Sequence, residues 1–280
     1  MVRRLLSAHT RGSYITFFSN PIVQPPHDRE MDLREHLAEL RERLIKSLIP
    51  FVIITALVFV KSGEIISILW NTLFKGREMV VYTPPEFILS RLLVSLFVAF
   101  LLTYPWIIYQ AYLFVKPALY PHEEKFLKLY LPLSYISFLV GAFFAYKFIL
   151  PFVYSSIVVK YLGADPFLSV KESLYNVVKV TALVGLFFQM PPLLTIAVKL
   201  RLTSTRSLRE KRFALYLLVF ILLTNISLDI SGLTQLIILT TFVASFELSI
   251  LIARIFEGRG DEGSYSGSWR SWIQHRKGFG

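Results

Sequence analysis

Six long apolar stretches leave this chain few folds to choose from: roughly Leu44–Val60, Ile88–Tyr112, Leu127–Leu150, Tyr175–Val198, Phe213–Leu228 and Leu233–Ile255. Most approach the roughly 18–25 residues that a helix needs to cross a bilayer core about 30 Å thick. A transmembrane barrel would show short alternating segments in place of continuous apolar runs. Backbone groups in lipid must be paired within the protein, so the spans are helices. The sequence therefore predicts an all-α integral membrane protein with six transmembrane helices. The last two spans are shorter or separated by only a few residues, a feature that local bilayer thinning accommodates.

Charge sets the expected orientation. The chain of 280 residues carries a formal charge of +11, but its basic residues sit between apolar runs. There they report membrane topology better than nucleic-acid binding. Lys199, Arg201, Arg206, Arg209, Lys211 and Arg212 follow the fourth span, and Arg34, Arg41, Arg43 and Lys46 precede the first. The connection Ser62–Phe87, read as a loop, has Lys75 and Arg77 balanced by acids, and Ser227–Gly232 has no basic residue. The positive-inside rule thus predicts that both termini and the Tyr120–Lys125 turn are cytoplasmic. With no cysteine in the chain, disulfides, zinc–thiolate sites and thiol chemistry are excluded. No HExxH, GxSxG or phosphate-cradling glycine loop is present, and His122-Glu123-Glu124 lacks the second histidine of a metal motif. The expectation is a protein with no enzymatic step and no cofactor, whose work comes from an ion gradient or from binding energy.

Residues 1–30, with Pro21, Pro25, Pro26 and scattered arginines, read as a flexible basic extension; 31–256 form the membrane domain; 257–280 read as a flexible tail. From Met31 to Lys46 the chain is an amphipathic helix, with Leu33, Leu37, Leu40 and Leu44 along one stripe and Glu35, Glu39 and Glu42 opposite. Arg41 and Arg43 border the stripe. The helix runs into the first span, which carries Pro50. The stretch Tyr104–Lys128 passes Pro105 and Pro117 and ends in a polar patch of His122, Glu123, Glu124 and Lys125. It reads as a short loop, stiffened by proline and aromatic residues, that holds carboxylates just outside the membrane.

Polar residues within the spans are expensive and need partners or water. Arg91, Lys147 and Lys179 lie near the outer ends, where a long side chain snorkels. Gln189 sits in mid-span before Pro191 and Pro192, which free carbonyl groups. It is either a helix–helix hydrogen-bonding group or a site for an incoming polar group. Glu247, near the inner end of the last span, is expected to face a protein interior or a wet cavity.

Several of these segments together resemble the TatC family, the multispanning signal-receptor component of the twin-arginine protein translocase. They are HLAELRERL at His36–Leu44, TPPEFI at Thr83–Ile88, YPWIIYQAYLFVKPALYPHE at Tyr104–Glu123, GAFFAYKFILPF at Gly141–Phe152, FFQMPP, SLREKR at Ser207–Arg212, and SFELS. The resemblance implies a concave six-helix bundle in the plasma membrane that binds twin-arginine signal peptides of folded cargo. It further implies self-association, and recruitment of TatA/TatB-type single-span partners for export driven by the proton-motive force. The family's signal-binding carboxylates fall on Glu39 and Glu123, and its aromatic and proline framework on Phe114, Pro117 and Tyr120, with His122 and Arg41 beside them. Pro105 and Gln110 stand at the inner end of the second span, and the polar position of the fourth span, often glutamate, is Gln189. The TPxD-like turn before the last span reads TNISLDISGLTQ, with Asp229 and Gln235 further apart than the family pattern. Elementary chemistry agrees with the carboxylates: two guanidinium groups need two acceptors, and a carboxylate takes a planar fork that an ammonium cannot match. A proton-coupled transporter of a small solute is the competing reading. It would call for an inverted repeat and intramembrane ionisable pairs, and the chain shows no convincing repeat.

Overall fold

The computed structural model describes residues 33–74, 78–157, 169–226 and 232–276; some side chains within them, His122 and 258–276 included, lie outside it. The expected N-terminal extension and Asp229 also fall outside the described residues. What is described is helical apart from turns and one isolated bridge.

Helix α1 (Leu33–Phe74) is followed by α2 (Pro84–Val115), a 3-10 turn at Lys116–Ala118, and α3 (Pro121–Phe144). A π turn at Ala145–Ile149 joins α3 to α4 (Leu150–Ile157), so the two form one continuous rod. Then come α5 (Val170–Phe187), α6 (Met190–Lys199), α7 (Thr205–Ile226) and α8 (Gly232–Arg276). Five rods are long and apolar enough to cross a membrane: α1, α2, α3–α4, α5–α6 and the Thr234–Ile255 part of α8. The sixth, α7, opens with Arg206, Arg209, Lys211 and Arg212, and its apolar part starts at Phe213, as the short fifth span predicts. Helix α8 is drawn to Arg276, beyond the expected end of the last span.

The main departure from expectation is at the C-terminal end of α1. The connection beginning at Ser62 is helical to Phe74, which makes α1 about 63 Å long at 1.5 Å per residue. Ile66, Trp70, Leu73 and Phe74 recur at helical spacing and are buried. Trp70 packs on Phe74, and Phe74 meets the edge of Tyr154 with ring centroids 4.6 Å apart. Ile149, Leu150, Val153, Val170, Leu174 and Val177 join this cluster, which continues through Val184 and Phe187 to Leu223, Ile238 and Phe242. By contrast, only 6% of the apolar window of α1 is buried inside the protein, and Leu48, Ile49, Val52, Ile53 and Leu57 are exposed. Such an apolar surface suits a hydrocarbon environment, where exposed leucine and isoleucine carry no cost.

The segments before α2 and α5 are tied together by polar contacts. Val80 and Ser169 form the bridge, with the Val170 amide donating to the Val80 carbonyl at 3.1 Å. Pro84 and Pro85 start α2 where amide donors are not needed. Buried Glu86 in its first turn accepts from the Tyr82 amide at 3.1 Å and from the Ser169 hydroxyl at 2.5 Å. Arg91 corrects its expectation. Its guanidinium does not reach past the helix ends but lies over the Phe59 ring at 4.8 Å, donating to Ser62 Oγ at 2.8 Å and the Phe59 carbonyl at 3.0 Å. A flat cation finds these acceptors on α1 closer than water.

Helices α3 and α5 cross where two glycines let them approach. A Cβ on Gly185 would lie 2.8 Å from the Phe138 ring, and one on Gly141 2.8 Å from the Phe188 side chain. Phe138 is fully buried and stacks on Tyr104 of α2 at 5.0 Å, so it has nowhere to retreat. Gly185→Val is expected to cost about 1–3 kcal/mol through overpacking, read as a lowered melting temperature of the detergent-solubilised protein. Gly63→Ala, at a glycine with open space around it, is expected to leave the melting temperature unchanged or raise it.

Candidate functional site

The charged start of α1 lies against the foot of α2. Pro50 has no amide proton, so the Lys46 carbonyl four residues earlier loses its helical donor. Trp106 of α2 fills the gap: its indole N–H donates to that carbonyl at 2.9 Å. Two turns further down, the His36 ring packs on Phe114 with centroids 4.7 Å apart. These contacts bring Glu39 to the same end as the turn from α2 to α3.

That turn is built by proline. Pro117 lies in the 3-10 turn, and Pro121 occupies the first position of α3, after Tyr120 in extended conformation. Glu123 bends back, and its Oε2 accepts the Tyr120 amide at 3.0 Å, the carboxylate half of a capping box. Glu124 is more heavily engaged. Its Oε1 accepts from the Tyr112 hydroxyl at 2.9 Å and lies 2.9 Å from Lys128 and 3.5 Å from Lys116. Glu39 has one internal partner, Arg43, at 3.2 Å, with the two side chains 20% and 26% exposed. Arg41 is exposed, and Gln110 is buried with its Oε1 unpaired among the described residues.

A second polar group lies inside the bundle. Pro191 and Pro192 release the carbonyls of Phe187 and Phe188, four residues before each. Ser245 of α8 donates to the Phe187 carbonyl at 2.5 Å, and Ser137 of α3 donates to that of Phe188. Gln189 pairs twice with Ser134: its Oε1 accepts from Ser134 Oγ at 2.5 Å, and its Nε2 donates to the Ser134 carbonyl at 2.9 Å. The Tyr104 hydroxyl joins Ser134 Oγ at 3.1 Å. Of the two readings of Gln189, helix–helix hydrogen bonding is the one the geometry displays. Glu247 accepts from the Tyr216 hydroxyl at 2.6 Å and lies 3.5 Å from Arg212. It ties α7 to α8 while remaining 41% exposed. Among the described residues no cluster of three or more His, Cys, Asp or Glu side chains could hold a metal.

Residues 35–252 match the family model described as Sec-independent protein translocase protein (TatC). The chain belongs to the TatC family. A Sec-independent protein translocase protein TatC from Methanocella arvoryzae is 34% identical to it over 232 residues, 82% of this chain and 96% of that protein. The TatC of Aquifex aeolicus is 32% identical, over 80% of this chain and 95% of that one. Crystal structures of a twin-arginine translocase receptor TatC are also similar. One has a TM-score of 0.68 at 30% identity over 79% of this chain and 98% of its own. Another, in DDM, has a TM-score of 0.70 at 31% identity over 78% and 99%.

In this TatC chain the His36–Phe114 contact sets the start of α1, which carries Glu39, against the foot of α2, and Pro117, Tyr120 and Glu123 follow in the turn into α3, while Gln189 precedes α6 and Glu247 lies on α8. Trp106, Arg43, Ser137 and Ser245 were not singled out from the sequence. The prolines were the available signal, since each announces a carbonyl that some donor must meet. Ser245→Ala is expected to strand the Phe187 carbonyl and cost about 1 kcal/mol, seen as a lower melting temperature in detergent. Ser249→Ala removes an equally buried hydroxyl that bonds only within α8 and is expected to have the smaller effect.

Proposed function

We propose that this multi-pass membrane protein is the signal-receptor subunit of a twin-arginine translocase. It takes one guanidinium of the signal peptide on Glu39 and the other on Glu123. The observation that carries this reading is the packing of His36 on Phe114, with Trp106 on the Lys46 carbonyl. It holds the start of α1, with Glu39, against the foot of α2, which leads into the turn that carries Glu123 and its aromatic and proline neighbours. Membership of the TatC family, and the similarity to chains described as the twin-arginine translocase receptor, supply the class of ligand.

The carboxylates differ in readiness. Glu124 is held by two lysines and a phenol, so it contributes field and stiffness rather than an open acceptor. Glu123 spends one oxygen on a backbone amide and keeps the rest of its lone pairs. Glu39 holds one arginine through one nitrogen. Exposed ion pairs contribute about 0–1 kcal/mol, so selectivity relies on partial burial of the bound guanidiniums beside Phe114 and Tyr120. The Lys and Arg distribution supports a cytoplasmic position for this face. The subunit performs no covalent chemistry. TatA/TatB-type single-span partners dock along the break between α5 and α6, near Gln189, and export draws on the proton-motive force.

Glu39→Gln and Glu123→Gln keep a hydrogen-bond acceptor at each position and remove the charge. Each is expected to weaken a twin-arginine peptide by about tenfold or more, the value of one charge-assisted hydrogen bond. Crosslinking of a labelled peptide to the protein in membranes measures this, and undiminished labelling of the double variant contradicts the assignment. Gln189→Leu is expected to spare peptide labelling while reducing transport and capture of the single-span partner. Loss of peptide labelling in that variant would mean that the two roles are not separate.

A further inference from the structure

Arg43 offers Glu39 the same chemical group that the proposed ligand carries. Its Nη2 donates to Glu39 Oε1 at 3.2 Å, a single contact from a group with five N–H donors. The Arg43 Nε is buried and has no hydrogen-bond partner among the described residues. The pairs Lys46–Trp106 and His36–Phe114 fix the antiparallel register of α1 and α2. Gln110 lies one turn beyond Trp106 on α2, and its buried Oε1 is likewise unpaired among the described residues. Each of the two helices that form this junction thus carries a buried polar atom with no partner among the described residues. Such orphans are costly, and a site that keeps them is incompletely filled by its own side chains.

We infer that Arg43 is an internal placeholder: it occupies Glu39 through one bond until a guanidinium of the signal peptide displaces it. This inference rests on the reading of Glu39 as a signal-peptide acceptor. The resident arginine holds Glu39 in place and keeps its charge compensated in the empty receptor, at the expense of apparent affinity. On displacement the Arg43 head swings toward water on its long stem. A competitor of this kind raises the dissociation constant of every ligand for Glu39 by one common factor. Removing it therefore tightens an Arg-Arg peptide and a Lys-Lys peptide equally and leaves their ratio unchanged, which loss of a ligand-contacting residue does not do.

The experiment measures binding of fluorescent Arg-Arg and Lys-Lys signal peptides to the full-length protein in detergent, for wild type, Arg43→Gln, Glu39→Gln and the double variant. Arg43→Gln is expected to tighten both peptides by about two- to fivefold, the range that an i,i+4 ion pair of partial burial supports. In the Glu39→Gln background the same change is expected to give no gain. Lys46→Gln removes an equal charge one turn away, from the pair with exposed Glu42, and is expected to give less than half the gain. Weaker binding in Arg43→Gln, an equal gain in Lys46→Gln, or a gain that survives in the double variant overturns the placeholder and leaves the receptor reading intact. Unchanged binding in Glu39→Gln overturns the receptor assignment of Glu39 itself, and the placeholder with it. Should Arg43→Gln not elute as a monodisperse species, Arg43→Ala, with a strong helix former, carries the same readout.

Discussion

A carbonyl released by proline inside a bilayer has no water to turn to, and this bundle answers that problem with side chains from neighbouring helices. Pro50 frees the Lys46 carbonyl, which takes the Trp106 indole. Pro191 and Pro192 free those of Phe187 and Phe188, which take Ser245 and Ser137. Each proline costs one intrahelical bond and returns it as a bond between helices. Lipid tails are as apolar as leucine, so hydrophobicity gives membrane helices little reason to prefer each other. Polar fasteners and close approach through Gly141 and Gly185 supply that preference here.

The same fasteners position the polar end. Trp106 holds α1 against α2 at Lys46, and further along the pair His36 meets Phe114. The acids at that end are already engaged, each by a different kind of donor: an arginine for Glu39, a backbone amide for Glu123, two lysines and a phenol for Glu124. The binding proposed there is an exchange of partners rather than the filling of an empty charge. That favours ligands whose donors are at least as good as the resident ones, which is what a planar guanidinium offers.

Much of the architecture was legible because lipid imposes a length and a period. The apolar runs marked the spans, the charged opening of α7 marked its shortness, and the leucine stripe of Met31–Lys46 marked a helix that does continue into the membrane. The C-terminal end of α1 reads as a loop in the sequence, since Lys61, Gly63 and Glu64 interrupt the apolar run just before it. The periodic Ile66, Trp70 and Phe74 are the stronger evidence, because spacing reports a buried face even where average hydrophobicity drops. Arg91 departs from expectation because the acceptors that hold it, Ser62 and the Phe59 carbonyl, lie on another helix.

By itself the sequence determined that this chain crosses a membrane as helices, where prolines would break their hydrogen bonding, and which acids stand beside the apolar runs. These are local properties, fixed by residue type and spacing. Only the tertiary structure decided which donor meets each released carbonyl and that Gln189 is bonded twice to Ser134. Those pairings join residues as far apart as 60 positions along the chain. They depend on the register and rotation of one helix against another, which side-chain packing sets and no single segment contains.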